Sequence, residues 1–467
     1  MDRRQFLGSA LATTALYSTT GLPGLGRVAN AGFAPVIDRM LVNVMLDGGP
    51  DFRHLFAPAY SADSLSFGYR YWQANSAAHD VDGNSNAWEQ RWNQDYFPLA
   101  ANGYQFGILQ NCGWLKDMWD AGNVAIVSNV YGSSSRDHSL SKLVLDQGNR
   151  SSGPSNSQRP GWGGRLAAAA GGNVVALTRT PRPFCFGPHA SDPENRSDEW
   201  LVPAQDVRNM KLYTPETDTD PRWANAVMER TLRSYYAAKR SELPQESAYR
   251  RFTAMEQQLR EFGEPLDTRL QTLPVPAQIE ALYNDTGPLL DNTYFGEQIR
   301  NLYDAIAVND IFGMRIASLE YQGFDTHDAQ RQELETRLTD IFGSGMAMDA
   351  LWQSLPADAR SNTVFAFAGE FGRQIRANGD AGTDHGEGTS IVLVGEPVNG
   401  GVYGDMFPQA ELSRLDQATP QIEGLTAIDH VFGRLCDWMQ PGSGNVVFPD
   451  RGTAPLETGL DLAGLLG

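Results

Sequence analysis

Met40-Leu41-Val42-Asn43-Val44-Met45-Leu46, followed at once by Asp47-Gly48-Gly49-Pro50-Asp51, is the stretch on which the fold of this chain turns. Its first seven residues are apolar with one exception, where a strand with one wet face would alternate. The next five stop it with a Gly-Gly-Pro turn. An apolar strand of this kind belongs in a sheet covered on both faces.

The same pattern recurs. Val124 to Val130 is a second apolar run, followed by a Gly-Ser loop and then Arg136-Asp137-His138. Ile316 to Tyr321 leads to Gly323-Phe324-Asp325-Thr326-His327-Asp328. Thr363 to Ala368 ends in Gly369-Glu370-Phe371-Gly372-Arg373, and a loop bearing Thr383-Asp384-His385-Gly386 precedes the run Ser390 to Val394. Val174 to Leu177 and Phe184 to Phe186 are expected as short strands. Helical spacing marks Ala248 to Phe262, residues 294–307, Gln330 to Leu355 and Ala427 to Met439. Residues 60–110, rich in Tyr, Trp, Asn and Ser, are expected as loops and short helices. Strands alternating with helices predict an α/β fold with a central, mostly parallel sheet and helices on both faces. No internal repeat or linker divides the chain, so residues 32–467 are expected to form one domain, with a helical insertion around 190–290.

The first 31 residues have a different logic. Met1-Asp2-Arg3-Arg4-Gln5-Phe6-Leu7 is a twin-arginine pattern. A short apolar stretch, Ala10 to Leu16, follows, then Gly21, Pro23 and Gly24, then Ala29-Asn30-Ala31, a small-residue cleavage site. The order predicts a signal peptide for export of the folded protein to the periplasm or beyond. The expected partners in that step are the twin-arginine translocase and signal peptidase. The apolar stretch is too short to span ~30 Å of hydrocarbon, and no stable membrane span is expected elsewhere.

The 467 residues carry a net charge of −19. Removing Arg3, Arg4, Arg27 and Asp2 with the signal leaves 34 basic residues against 55 acidic, a net of −21. Such a surface repels nucleic acid and anionic lipid. Three cysteines (Cys112, Cys185 and Cys436), with no Cys-x-x-Cys pair, argue against a disulfide scaffold or a thiolate zinc site and predict buried thiols.

The chemistry lies in the turns. Asp47/Asp51, Arg136/Asp137/His138, Asp325/His327 and Glu370/Arg373 each follow an apolar strand, and Asp384/His385 precede one. Any one of these residues alone is better explained as a cap, a turn residue or an ion pair. Parallel strands bring their carboxyl ends to one edge, where open α/β sheets bind ligands. Carboxylate with imidazole fits a divalent metal, and the cofactor expected is zinc, manganese or calcium. The ligand candidates are Asp47, Asp51, Asp325, His327, Glu370, Asp384 and His385. Arg136, Asp137, His138 and Arg373 are the catalytic candidates, the two arginines as forks for a tetrahedral oxyanion. His54, His79, His189 and His430 lie outside such turns.

The segments LVNVMLDGGPD, SSSRDHSLSKLVLDQG, YQGFDTHDAQ and GEFGRQIRANGDAGTDHGEGTSIVLVGEPVNGGVYGD together resemble a bacterial exported family known as domain of unknown function 1501, grouped with the alkaline phosphatase and sulfatase clan. The resemblance implies an alkaline-phosphatase-like fold with one or two divalent metals at strand ends. It implies Asp51, Asp325, His327, Glu370 and His385 as ligands, with His138 and Arg136 nearby. The chain departs from the family pattern in two places. Asp47 stands where the family often has Arg, and Asp137 stands where it often has Ser. The motif that sulfatases convert to formylglycine is absent. The function expected is a metal-dependent hydrolase of phosphate or sulfate esters, attacking with water. The alternative is a non-catalytic exported binding or structural protein that keeps the fold, with or without a metal, and binds a surface polymer or a partner protein, the aromatic stretch 60–110 being a candidate surface for a glycan.

Overall fold

In the computed structural model the described residues are 36, 38–148, 156–210, 231, 234, 235, 238, 239, 242, 263, 265–284, 288–415, 417 and 419–467. The expected signal segment 1–31 and the expected helix Ala248 to Phe262 lie outside the described residues.

The chain folds as an α/β protein around one large sheet, nine-stranded among the described residues. Its strands are β1 (Met40–Asp47), β2 (Val124–Tyr131), β3 (Asn173–Ala176), β4 (Leu201–Pro203), β5 (Met314–Gln322), β6 (Thr363–Ala368), β7 (Thr389–Val394), β8 (Gly401–Tyr403) and β9 (Thr426–Ala427). They lie in the order β8-β2-β7-β6-β1-β5-β3-β4, with β9 also paired to β2. The opening strand sits in the middle, with Val44 opposite Leu319 of β5 on one side and Phe367 of β6 on the other.

Both faces of β1 are covered. Val42, Val44 and Leu46 join a core with Trp72, Phe342 and Phe367, while Leu41 and Met45 join another with Trp162 and Phe432. Side chains alternate across a strand, so a sheet packed on both sides needs apolar residues at every position. The helices named below are α1 (His138–Gln147), α2 (Thr293–Ala307), α3 (Gln330–Phe342), α4 (Ala347–Ser354) and α5 (Ile428–Met439).

Several expectations need correction. The sheet is mixed, not mostly parallel, because β7 runs antiparallel to both β6 and β2. Its amino end therefore lies with the carboxyl ends of β1, β2, β5 and β6, and His385 still reaches the same edge. The expected helix Gln330 to Leu355 is two helices, α3 and α4, separated at Gly343-Ser344-Gly345, where Gly345 has φ +76°. Pro183–Cys185 is a 3-10 turn rather than a strand. Residues 60–110 contain a hairpin, Tyr96–Ala101 with Tyr104–Leu109, turned at Asn102-Gly103, both at positive φ. Asn-Gly is the dipeptide that such a tight turn favours. In this region Tyr71, Trp72, Trp88, Trp92 and Tyr96 are buried in the core, so these rings pack and do not face a glycan.

Within 190–290 the described residues include the hairpin Gly187–His189 with Asp192–Ser197, the strand β4 and helical turns. The three cysteines are free and buried. No helix among the described residues is long and apolar enough to cross a membrane.

Candidate metal centre

The turn after β1 is shaped by close approach. A Cβ on Gly48, which has φ +119°, would fall 2.3 Å from the nitrogen of Asp325. Only glycine lets this peptide lie against the Phe324-Asp325 backbone. The amides of Gly48 and Gly49 then donate to the carboxylate of Glu370, at 3.1 and 3.2 Å and at 3.1 Å. Glu370 is buried, and its remaining partner is His138 Nδ1 at 2.7 Å. Three donors on one buried carboxylate offset much of its lost hydration.

Arg373 ties the turns together. It is 1% exposed. Its Nε donates to the carbonyl of Gly49 at 2.7 Å and its Nη1 to that of Thr383 at 2.9 Å. Its Nη2 reaches the carbonyls of Gly48 and Phe324 and, at 2.8 Å, Asp325 Oδ1. The guanidinium expected as an oxyanion fork is instead spent on the scaffold, where it positions Asp325. A Cβ on the preceding Gly372 would lie 1.7 Å from the carbonyl oxygen of Gly388, so glycine is required for the arginine to enter here.

Asp325 is the focus of the histidines. His385 Nε2 lies 2.9 Å and His327 Nε2 3.1 Å from its Oδ1, and His138 Nε2 lies 3.2 Å from its Oδ2. Each imidazole is held from behind through Nδ1. His385 Nδ1 faces the carbonyl of Arg136 at 2.9 Å, His327 Nδ1 faces Asp384 Oδ1 at 3.1 Å, and His138 Nδ1 faces Glu370. A carbonyl or carboxylate can only accept, so each Nδ1 carries a proton; each Nε2 then faces the Asp325 carboxylate, itself an acceptor, and such a contact needs either a second proton on the ring or a cation between the two atoms. This is the outer-shell arrangement that orients metal-binding histidines.

Two further observations ask for a cation here. His327 Nε2 and His385 Nε2 are 2.9 Å apart, a repulsive contact for two lone pairs unless a proton or metal is shared. His138 Nε2 is buried, with Asp325 Oδ2 facing it at 3.2 Å and no well-formed hydrogen bond between them. Tetrahedral ligation at about 2.0–2.1 Å sets ligand atoms about 3.3 Å apart, close to the separations at Asp325 Oδ1. Ligand atoms of His138, Asp325 and His385 all lie within 4.8 Å of one another, as do those of Asp47, His138 and Glu370. The residues present fit a divalent ion at Asp325.

The electrostatics agree. Burial would raise the Asp325 carboxyl, but hydrogen bonds from His385 and Arg373 outweigh it and hold the group well below the usual carboxylate range. The hydrogen bond to Glu370 raises His138. Burial lowers His385.

The remaining candidates fall into supporting places. Asp384 holds His327 and is itself held by Asn378 Nδ2 at 3.2 Å, which also donates to the carbonyl of His327 at 2.8 Å. Asp51, an expected ligand, caps the short helix Phe52–Leu55 through the amides of Arg53 and His54 and accepts from Gln330 Nε2 at 2.9 Å. Asp137 caps α1 through the amide of Leu140, so its carboxylate serves the helix. Arg136 gives its carbonyl to His385 and its guanidinium to Gln421. Asp47 pairs with Lys142. Asn378 and Lys142 were not candidates. Lys142 falls one helical turn after His138, a spacing the sequence does show. His54 is buried against His79, their rings stacked at 4.1 Å, and bonds to Glu335.

A family model described as "Protein of unknown function (DUF1501)" matches residues 108–416. The chain belongs to that family. The DUF1501 match includes His138, Asp325, His327, Glu370, Arg373, Asp384 and His385, while Asp47 and Asp51 precede it. No curated protein matches the chain.

Proposed function

We propose that this DUF1501 protein is an exported, metal-dependent hydrolase of phosphate or sulfate esters with an alkaline-phosphatase-like fold. One observation carries the reading: three imidazoles, each held at Nδ1 by an acceptor, turn their Nε2 atoms on Asp325 at the edge where the strands converge. A divalent cation held by His138, Asp325, His327 and His385 supplies Lewis acidity toward an ester oxygen.

The chain's own residues do the rest. Glu370 and Asp384 fix the rings, and Arg373 fixes Asp325. Arg136 holds His385 through its carbonyl, and its half-buried guanidinium, bonded to Gln421, is a cation this reading assigns to an ester's charged oxygens. With Asp137 in the family's serine position and spent as a helix cap, water is the attacking group. The net reaction converts ester and water to alcohol and inorganic anion. The non-catalytic alternative loses the support of aromatic rings exposed to a glycan, because the rings named above are buried.

The test uses protein purified from its own export compartment. A single divalent metal per chain is expected, with slow hydrolysis of an aryl phosphate or aryl sulfate that chelation abolishes and metal restores. His327→Ala should lower kcat at least about 100-fold. Protein that takes up no stoichiometric metal, or a variant with unchanged turnover, would sink the hydrolase reading.

Export by the twin-arginine route is the second half of the proposal and rests on Arg3-Arg4, the apolar stretch and Ala29-Asn30-Ala31. N-terminal sequencing of the periplasmic protein should give Gly32 as the first residue. Replacing both Arg3 and Arg4 with lysine should leave the precursor in the cytoplasm. Export undiminished in that variant would refute the route.

A further inference from the structure

The helix α1 brings a second side chain to the centre. His138 and Lys142 are four residues apart, and that spacing places both on one helical face. The face meets the end of β1, where Lys142 Nζ lies 3.0 and 3.2 Å from the two carboxylate oxygens of Asp47. Asp47, Glu370 and His138 form the second group whose ligand atoms lie within 4.8 Å of one another. Asp47 and Glu370 supply the carboxylate oxygens that a divalent ion takes, while His138 keeps on Nδ1 the proton it donates to Glu370.

Each member of that group already has a compensating donor. Glu370 has two backbone amides and His138, and Asp47 has the ammonium on both of its oxygens. A divalent ion on Asp47 would have to displace the lysine or stand beside it, and like charges at that range repel.

We propose that Lys142 takes the place of a second metal ion. Its ammonium is the built-in cation of the Asp47–Glu370–His138 group, so the centre holds one divalent ion, and the lysine supplies the second positive charge that faces an anionic ester. This rests on the reading that the Asp325 group binds a metal. The side chain of Lys142 is 37% exposed against 20% for Asp47, so the ammonium can hold the aspartate and still meet a ligand arriving from solvent. A compact ammonium with three donors can bridge two anions in that way.

The test is metal stoichiometry, which does not depend on knowing the substrate. The mature protein, loaded with zinc or manganese and freed of excess, should carry one ion per chain. Lys142→Met should carry two. Lys142→Arg and the double variant Asp47→Asn/Lys142→Met should each carry one. Near-UV circular dichroism checks that the variants fold, and Lys142→Gln serves if methionine is not tolerated. Two ions in the wild type, or one in folded Lys142→Met or Lys142→Gln, overturns the role of Lys142 and leaves the metal reading standing. No ion in the wild type overturns the metal reading itself, and this inference with it.

Discussion

Arg373→Ala should cost the fold about 4 kcal/mol or more, seen as a large fall in the urea midpoint or as loss of folded protein. The guanidinium is buried and donates to the carbonyls of Gly48, Gly49, Phe324 and Thr383. Removing it leaves those oxygens without their buried donor, and an unsatisfied buried acceptor costs about 1–3 kcal/mol. It also leaves Asp325 without its tether. Arg373→Lys should recover less than half of the loss, because one ammonium cannot follow a planar fork to carbonyls on three different turns. Asp325→Asn is the informative control. It keeps every carbonyl contact of the arginine and should cost less than half as much stability, while weakening metal binding at least about tenfold. If Asp325→Asn destabilised the protein as much as Arg373→Ala, the arginine would be serving the carboxylate rather than the backbone.

His385→Ala should abolish stoichiometric metal binding, and Asp384→Asn should weaken it by about 10–100-fold while leaving the stoichiometry intact. The difference follows from position. His385 turns its own Nε2 on Asp325, whereas Asp384 acts through His327 by accepting from its Nδ1. An amide at 384 can still accept that hydrogen bond but carries no charge to strengthen it. Isothermal titration with zinc separates the two outcomes. Equal losses in both variants would place Asp384 among the direct ligands, and no loss in His385→Ala would move the centre elsewhere. Neither substitution should unfold the protein, since both side chains are partly exposed.

The parts of this molecule legible in its sequence are those fixed by local pattern. β1, β2, β5, β6 and β7 announce themselves because continuous apolar runs have one cheap resting place, a sheet covered on both faces. The same runs carry no sign of direction, which is why the antiparallel entry of β7 was not foreseen. The hairpin 96–109 was hidden by its aromatic and polar composition, although Asn102-Gly103 marked its turn. The break between α3 and α4 is marked by Gly343-Ser344-Gly345, which the helical spacing on either side masks.

At the centre, the gathering of Asp325, His327, His385, His138 and Glu370 followed from residue type and strand-end position. Their division of labour did not. Whether Arg373 faces a substrate or four carbonyls depends on peptides distant in sequence, and Asp51 and Asp137 keep the helix-capping duty that is usual for such residues.

The antiparallel β7 also sets a clock on synthesis. It fills the gap between β2 and β6, yet it is made about 260 residues after β2. At ribosomal speeds of about 5–20 residues per second, β2 waits on the order of tens of seconds for that neighbour. For that interval the edge that β7 will cover has no permanent partner, and an apolar strand edge left open is a template for self-association. A nascent chain of this protein should therefore need holding chaperones until the strands that cover β2, the last of them ending at Ala427, have emerged, and its yield should depend on them more than its finished stability would suggest.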